Sequence, residues 1–332
     1  MNILWEYGKV IPNCGMSNKR KFTKEGYIHI FQITVDRGVI FCTVQDFILI
    51  FTLISSRARK YGIHIVAITI MLNHFHIEAQ FKFEEDVPKF MNEITSVFAK
   101  KFNRQYKLSG KVFHKPFGSS PKNSSPKYYE NYLYIANNAR EKLAVDKSED
   151  YRWNFLKYID NPNPFSDTIT KDVSDELWHL MEEVNRLCRK GKAIDYSFFD
   201  DNRYASLSVV EKQQLIDYII VTYNVIDYSF ALAKYGSYEK ICTVLSLIAG
   251  ADHSTNDDFD RENYKHYYAM IKIAEEEGYD MRKIRYVGKD NKPGSISPSI
   301  YYNLLRRFRK EVHPSNREII KFFHLPKDTK IV

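Results

Sequence analysis

Eleven residues, Met71 to Phe81 (MLNHFHIEAQF), constrain the fold more than any other stretch of the chain. From His74 onward, His74, His76, Glu78 and Gln80 occupy one parity and Phe75, Ile77, Ala79 and Phe81 the other. A strand sends successive side chains to opposite faces, so the alternation predicts a half-buried strand with a polar row on one side. Both imidazoles leave from that side. Two histidines at i and i+2 can share one divalent ion, but two nitrogens do not fill a coordination sphere. A third protein ligand must come from elsewhere, with the remaining positions left to water or substrate oxygens. Taken alone, a His-x-His pair is more often an exposed strand face without a ligand.

The flanking residues frame this strand. Tyr27 to Val35 (YIHIFQITV) is β-branched and aromatic and predicts a strand. After a turn at Asp36-Arg37-Gly38, Phe47, Ile50, Phe51 and Ile54 follow helical spacing; Arg57, Arg59 and Lys60 end that helix and Gly62 closes it. Ile63 to Met71 is a central strand. Asp86 is the expected N-cap of a helix burying Val87, Phe90, Met91, Ile94, Val97, Phe98 and Phe102, with Lys89, Lys100, Lys101 and Arg104 on its other face. Lys111 to Phe117 reads as a short strand, Gly118 to Lys127 (GSSPKNSSPK) as a loop, and Lys127 to about Val145 as a tyrosine-dense helix.

The order strand, helix, strand, strand, helix, strand, helix predicts an α+β, ferredoxin-like βαββαβα domain over residues 26–160. Its antiparallel sheet is expected to carry helices on one face and to leave the histidine face open to a ligand. Residues 1–25 read as a basic arm. The breaker cluster Asp160-Asn161-Pro162-Asn163-Pro164 sets the boundary, and residues 161–332 read as mainly helical, with spans near 175–189, 208–223, 237–249, 262–277 and 299–312.

Charge decides what such a sheet would meet. The chain carries +8 with a pI near 9.0, and the basic excess lies in residues 1–160. That favours a polyanionic partner. An aromatic share of 15% is permissive for stacking on unpaired bases. Within the second half, residues 161–281 are acidic and 282–310 basic; Ser297 to Lys310, with Arg306 and Arg307, reads equally as a groove-entering helix or a solvated face. Phe47 to Ile54, the longest apolar run, is too short to cross a bilayer, so no membrane partner is expected. Cys14, Cys42, Cys188 and Cys242 form no C-x-x-C pair, which predicts reduced thiols. Trp5, Glu6 and Lys9 precede any long apolar run, so the opening does not read as a signal peptide and a cytoplasmic, nucleoid-associated protein is expected. The chain contains no GxGxxG, P-loop or HExxH, leaving nucleotide-dependent and zinc-protease chemistry without a foothold.

On the tyrosine-dense helix, Tyr134 and Asn138 are four residues apart and share a face. A phenol is a poor nucleophile at its free pKa but attacks a phosphodiester when a metal polarises the phosphate. The Asn138 amide oxygen is therefore a candidate third ligand one turn from a candidate nucleophile. Tyr128, Tyr129 and Tyr132 read as packing or surface residues, His29 and His64 as satisfied core or edge histidines, and His114 as structural or DNA-facing. Glu78 is a minor alternative ligand.

At these residues the sequence resembles the single-tyrosine HUH transposases, and within them the REP-associated tyrosine transposases. The resemblance covers roughly residues 26–159. It rests on Met71-Leu72-Asn73-His74-Phe75-His76-Ile77, on Lys101 to Tyr106 followed by Ser109 to Phe113, on Tyr134-Ile135-Ala136-Asn137-Asn138, and on Glu149 to Trp153, in the family's order. It implies a metal-dependent nuclease and strand transferase for single-stranded or hairpin DNA, working through a 5′-phosphotyrosine. Tyr134 would be the nucleophile and His74, His76 and Asn138 the ligands of Mg²⁺ or Mn²⁺. On charge alone, Lys100, Lys101, Arg104, Lys111 and Lys115, with Arg306 and Arg307 of the basic helix, read as the backbone-contacting cations. A monomer or a homodimer is compatible. The chain departs from the family at Leu72 and Ala139, where members usually have Pro, and at Lys115-Pro116-Phe117-Gly118. The competing expectations are a domesticated DNA-binding protein that transfers no strand and a ferredoxin-like RNA-binding module.

Overall fold

The computed structural model describes residues 22–114, 116–170, 173–248, 263–279, 281, 297–326 and 329–331. Most of the basic arm expected at residues 1–25, and Lys115, lie outside them. Four strands, β1 (Tyr27–Ile33), β2 (His64–Ile70), β3 (His74–Gln80) and β4 (Gly118–Lys122), form one sheet in the order β2-β3-β1-β4. Every neighbouring pair is antiparallel. With α1 (Val44–Tyr61), α2 (Asp86–Tyr106) and α3 (Ser125–Glu141) interleaved, this is the split βαβ arrangement that the element order predicts.

The apolar parity of β3 packs as expected. Phe75, Ile77, Ala79 and Phe81 are buried in the main core with α1 and α2, and Phe81 meets Phe90 of α2 at 5.8 Å between ring centroids. A capping box between Thr43 and Asp46 starts α1, and Gly62, at φ 59°, ends it. Asp46 is fully buried and accepts from the Thr43 amide at 2.9 Å, the Tyr106 hydroxyl at 2.6 Å and the Tyr196 hydroxyl at 2.9 Å. Asp46→Asn places an amide nitrogen among these donors and is expected to cost about 3 kcal/mol in a denaturant titration. A loss under about 0.5 kcal/mol would show that the three donors find other acceptors.

Three expectations are corrected. The fourth strand is Gly118–Lys122, in the stretch that Ser and Pro marked as a loop, whereas the expected strand at 111–117 contributes a single bridge, Phe113 to Thr34. Pro121 is tolerated because β4 is an edge strand with one neighbour. The helices do not all lie on one face: α3 crosses the face opposite α1 and α2, where its Ile135 carbonyl accepts from Thr69 Oγ1 at 2.7 Å. The histidine strand is consequently buried on both sides except at Gln80. At α2 the N-cap is Glu85, and Asp86 is the first helical residue.

Beyond residue 160 the chain is helical, in α4 (Asp175–Arg189), α5 (Tyr196–Phe199), α6 (Asn202–Ser206), α7 (Val209–Tyr223), α8 (Ser229–Tyr235), α9 (Tyr238–Leu247), α10 (Tyr264–Glu276), α11 (Pro298–Glu311) and α12 (Asn316–Phe323). One apolar core runs from Ile30 and Phe51 through Leu215 and Ile219 to Phe308 and Ile319, crossing residue 160 without a break. β2, expected to be a central strand, is an edge strand of the sheet, and its apolar run is explained by the cover on its free side, a parallel bridge from Ile65 to Ile226 and the Asp227 amide donating to the Ile65 carbonyl at 2.8 Å. Cys42, Cys188 and Cys242 are free thiols. Among the described residues no helix is long and apolar enough to cross a membrane.

Candidate active site

The polar parity of β3 and one stripe of α3 meet in the layer between sheet and helix. His74 Nε2 faces Asn138 Oδ1 at 3.3 Å. The rings of His74 and His76 stand nearly perpendicular with centroids 4.9 Å apart, and the Tyr134 ring lies 5.6 Å from that of His76. Four residues named from sequence spacing are thus brought together within one chain. They are not on an open face: His74 retains 8% of its exposure, His76 and Asn138 2% each, and Tyr134 is the part-exposed member of the group. The expectation of an exposed polar row fails here, because α3 lies across it.

Hydrogen bonds fix how the imidazoles present themselves. His74 Nδ1 lies 2.6 Å from Asn73 Oδ1 and its Nε2 3.3 Å from Asn138 Oδ1, so a neutral ring donates to one of the two oxygens and turns a lone pair toward the other. His76 Nδ1 pairs with His29 Nε2 at 2.9 Å, leaving His76 Nε2 as its second nitrogen. His29 is buried and satisfied, as expected of a core histidine, but its partner makes it part of the site. Sequence reasoning missed this role; the signal was that β1 is antiparallel to β3 with Phe31 opposite His76, which puts Tyr27, His29 and Phe31 on the histidine face. Burial first, then neighbouring His76 and Lys142, hold His74 well below the usual histidine range, and burial with Lys142 brings His76 down to about 3. Neutral imidazoles are the form that ligates.

The residues fit a small divalent cation. A neutral His74 has one proton for two facing oxygens, and a cation shared by Nε2 and Asn138 Oδ1 would resolve that shortfall with the proton on Nδ1. Two ligands at right angles around an ion with bonds near 2.1 Å lie roughly 3.0 Å apart. Imidazole nitrogen with an amide oxygen suits a metal that keeps positions for phosphate oxygens. Glu78 is fully buried on the same face, and burial raises its carboxyl well above the usual range. Among the described residues neither of its oxygens, nor the Asn131 nitrogen, makes a hydrogen bond of ordinary geometry, although Asn131 lies near enough to oppose the rise.

The cations nearest the site are not those that helix patterning suggested. Arg37, Lys122 and Lys142 lie close enough for their charge to act on the buried histidines. Lys142 was legible as the next step of the four-residue stripe Tyr134, Asn138, Lys142. Lys100, Lys101 and Arg104 ride on α2, behind the sheet, where Lys101 pairs with Asp195. Lys111 is exposed in the connection after α2. On α11, Arg307 is held by Glu277 and Glu311 at 2.7 Å each, and Arg306 lies 3.4 Å from Asn303 Oδ1. His64 pairs with Asp227 at 2.8 Å, and His114 is exposed. Along α3, Tyr128 and Tyr129 pack against Phe230 of α8, while Tyr132 is buried.

Gly118 keeps the far wall of the site in place. A Cβ there would sit 1.9 Å from the Phe31 ring, which itself packs on His29 and His76. Gly118→Ala is expected to displace that ring and cost about 2 kcal/mol in thermal unfolding. Unchanged stability would mean that Phe31 has room to move.

Residues 23–133 match the family model of the IS200-like transposases. The match takes in His74 and His76 and stops one residue before Tyr134. Among solved structures, one described as a REP-associated tyrosine transposase bound to a REP hairpin is 18% identical, covers 48% of this chain and 94% of that chain, and superposes with a TM-score of 0.38. No curated protein matches the chain.

Proposed function

From the IS200-like transposase segment at residues 23–133, we propose that this chain is a metal-dependent DNA nickase and strand transferase acting on single-stranded or hairpin DNA through a 5′-phosphotyrosine. The observation that carries the reading is the convergence of His74, His76 and Asn138 beside Tyr134, from two segments far apart in sequence. His74 Nε2, His76 Nε2 and Asn138 Oδ1 would hold Mg²⁺ or Mn²⁺, which supplies polarisation of the scissile phosphate. Tyr134 Oη forms the new bond to phosphorus as the bond to the 3′ oxygen breaks. The phenol gives up its proton and the departing 3′ oxygen gains one. One phosphodiester is exchanged for another, so the freed 3′-hydroxyl of a second end can run the step backwards and rejoin strands. Arg37, Lys122 and Lys142 offset charge gathering on the phosphate. The place of Tyr134 beside His76 of its own chain supports a tyrosine acting in cis.

The burial of both imidazoles favours a second reading, a DNA-binding protein that keeps the fold and transfers no strand. Labelled single-stranded hairpin DNA incubated with the protein and Mn²⁺, then run under denaturing conditions, separates the two. A covalent adduct that disappears with chelator supports the strand transferase. Tight binding without an adduct supports the second reading, and a preference for RNA indifferent to chelator would count against both.

A further inference from the structure

α11, far outside the matched segment, sorts its charges onto two sides. Its back is packed: Leu304, Leu305 and Phe308 are buried, with Phe308 against Phe322 and Phe323 of α12. On one flank Arg307 is neutralised by Glu277 and Glu311 at 2.7 Å each and lies 3.6 Å from Glu276. Glu311 is the one acid of the helix, so that flank holds all of its negative charge. Tyr302, Arg306, Arg309 and Lys310 recur on successive turns within a stripe about 100° wide. All four are exposed, Tyr302 by 64%, and Arg306 and Arg309 bond only to the neutral side chains of Asn303 and Asn316. Cations in the last turn of a helix answer its dipole, which accounts for Arg309 and Lys310. It does not place Arg306 a turn earlier, nor keep acids off the stripe.

We propose that this stripe is a second DNA contact, which holds the backbone of a duplex stem while the strand end lies at Tyr134. Three cations and a phenol that can donate are groups that meet phosphate oxygens without reading sequence. The shape selects a duplex. A single strand is held in a groove lined with rings on which its bases stack. α11 instead presents a straight row along one helix face, and a helix about 10–12 Å across matches the width of a major groove. Its distance from the candidate active site suits a stem. At the start of α10 the Tyr264 hydroxyl lies 2.5 Å from Asn73 Oδ1, and the Tyr264 amide donates to the Lys142 carbonyl at 3.0 Å. α10 is 13 residues long and so spans roughly 20 Å, with Glu276 and Glu277 at its far end holding Arg307. At 3.4 Å per base pair that length is about six pairs of a B-form stem. DNA as the occupant rests on the proposed function; the separation of charge does not.

The test measures fluorescence anisotropy of labelled DNA with the full chain in chelator, using a hairpin of about 12 base pairs, twice the reach to α11, and an unpaired strand of equal length. For Arg306→Gln/Arg309→Gln/Lys310→Gln, hairpin affinity is expected to fall on the order of a hundredfold at about 0.1 M salt. The slope of log affinity against log salt should drop by about one per cation, with the unpaired strand bound within about twofold of the native chain. Arg306→Lys/Arg309→Lys gives up the guanidinium bonds to Asn303 and Asn316 but keeps the charge, and should hold the hairpin within about threefold of the native chain. Arg186→Gln/Arg189→Gln/Lys190→Gln removes the same three charges from the exposed end of α4 and should leave both probes unaffected. Native hairpin affinity in the α11 triple variant, equal weakening on both probes, or equal weakening in the α4 variant overturns the proposal. So does a tighter hold on an RNA hairpin of the same sequence, or no hairpin binding by the native chain. If the α11 loss appears on the hairpin alone while the native chain forms no adduct with Mn²⁺, the stem contact stands and the strand-transfer reading falls. An adduct in the native chain with hairpin binding unimpaired in the α11 triple variant does the reverse.

Discussion

Tyr134→Phe is expected to abolish the covalent protein–DNA adduct while leaving DNA binding within about twofold of the native chain. The change removes one oxygen from a part-exposed ring and keeps its packing against His29 and His76 at 5.8 and 5.6 Å. No other group on α3 is placed to take over. Tyr132 is buried, and burial raises its hydroxyl far above the usual range. Tyr128 and Tyr129 lie more than a turn away, packed against Phe230 of α8. Loss of a nucleophile without a substitute costs on the order of 10⁴-fold or more in rate, so the adduct should fall below detection rather than slow. Tyr129→Phe, which removes a hydroxyl from the same helix, should leave the adduct at its native level. An adduct that persists in Tyr134→Phe and maps to another tyrosine would refute the assignment. Persistence through every tyrosine variant would place the chemistry elsewhere in the molecule.

What the sequence could and could not disclose follows from the range of the interactions involved. Alternation along β3 and the four-residue step from Tyr134 to Asn138 are local periodicities, so the two pairs of residues that the structure brings together could be named before any fold was known. The placement of α3 was not, because nothing local tells a helix which face of a sheet to cover. A polar parity is ordinarily turned to solvent, and here it lines a buried layer. His29 was hidden for the same reason. Its neighbours Ile28 and Ile30 marked it as core, correctly, while its bond to His76 depends on strand register. β4 was misplaced because composition records the average cost of Ser and Pro in a strand, and an edge strand does not incur that cost. The cations were assigned to α2 by counting Lys and Arg on a helix face, which cannot distinguish solvent from a partner helix carrying Asp195. Tyr264 lies 190 residues beyond His74, and only the packed structure brings its hydroxyl to Asn73.

Asn138→Ala should separate stability from metal binding. In chelator His74 Nε2 and Asn138 Oδ1 stand 3.3 Å apart in a buried layer, a long contact that competes with Asn73 Oδ1 for the one proton of a neutral imidazole. Removing the Asn138 amide costs a small side chain's contacts and at most that long hydrogen bond, so the variant is expected to unfold within about 2 kcal/mol of the native chain when metal is absent. Mn²⁺ then drives the two apart. At a free concentration near 100 times its dissociation constant, a ligand bound only by the folded state adds roughly 2.7 kcal/mol, a rise on the order of 5 °C in Tm for a chain of this size. The native chain should show that rise and Asn138→Ala should show little of it, with adduct formation lost in parallel. His74→Ala should behave alike with metal but lose more stability without it, because it leaves Asn73 Oδ1 with one donor fewer in a buried position. An equal Mn²⁺-dependent rise in native chain and Asn138→Ala would remove Asn138 from the ligand set and turn attention to Glu78, the buried carboxyl on the same face.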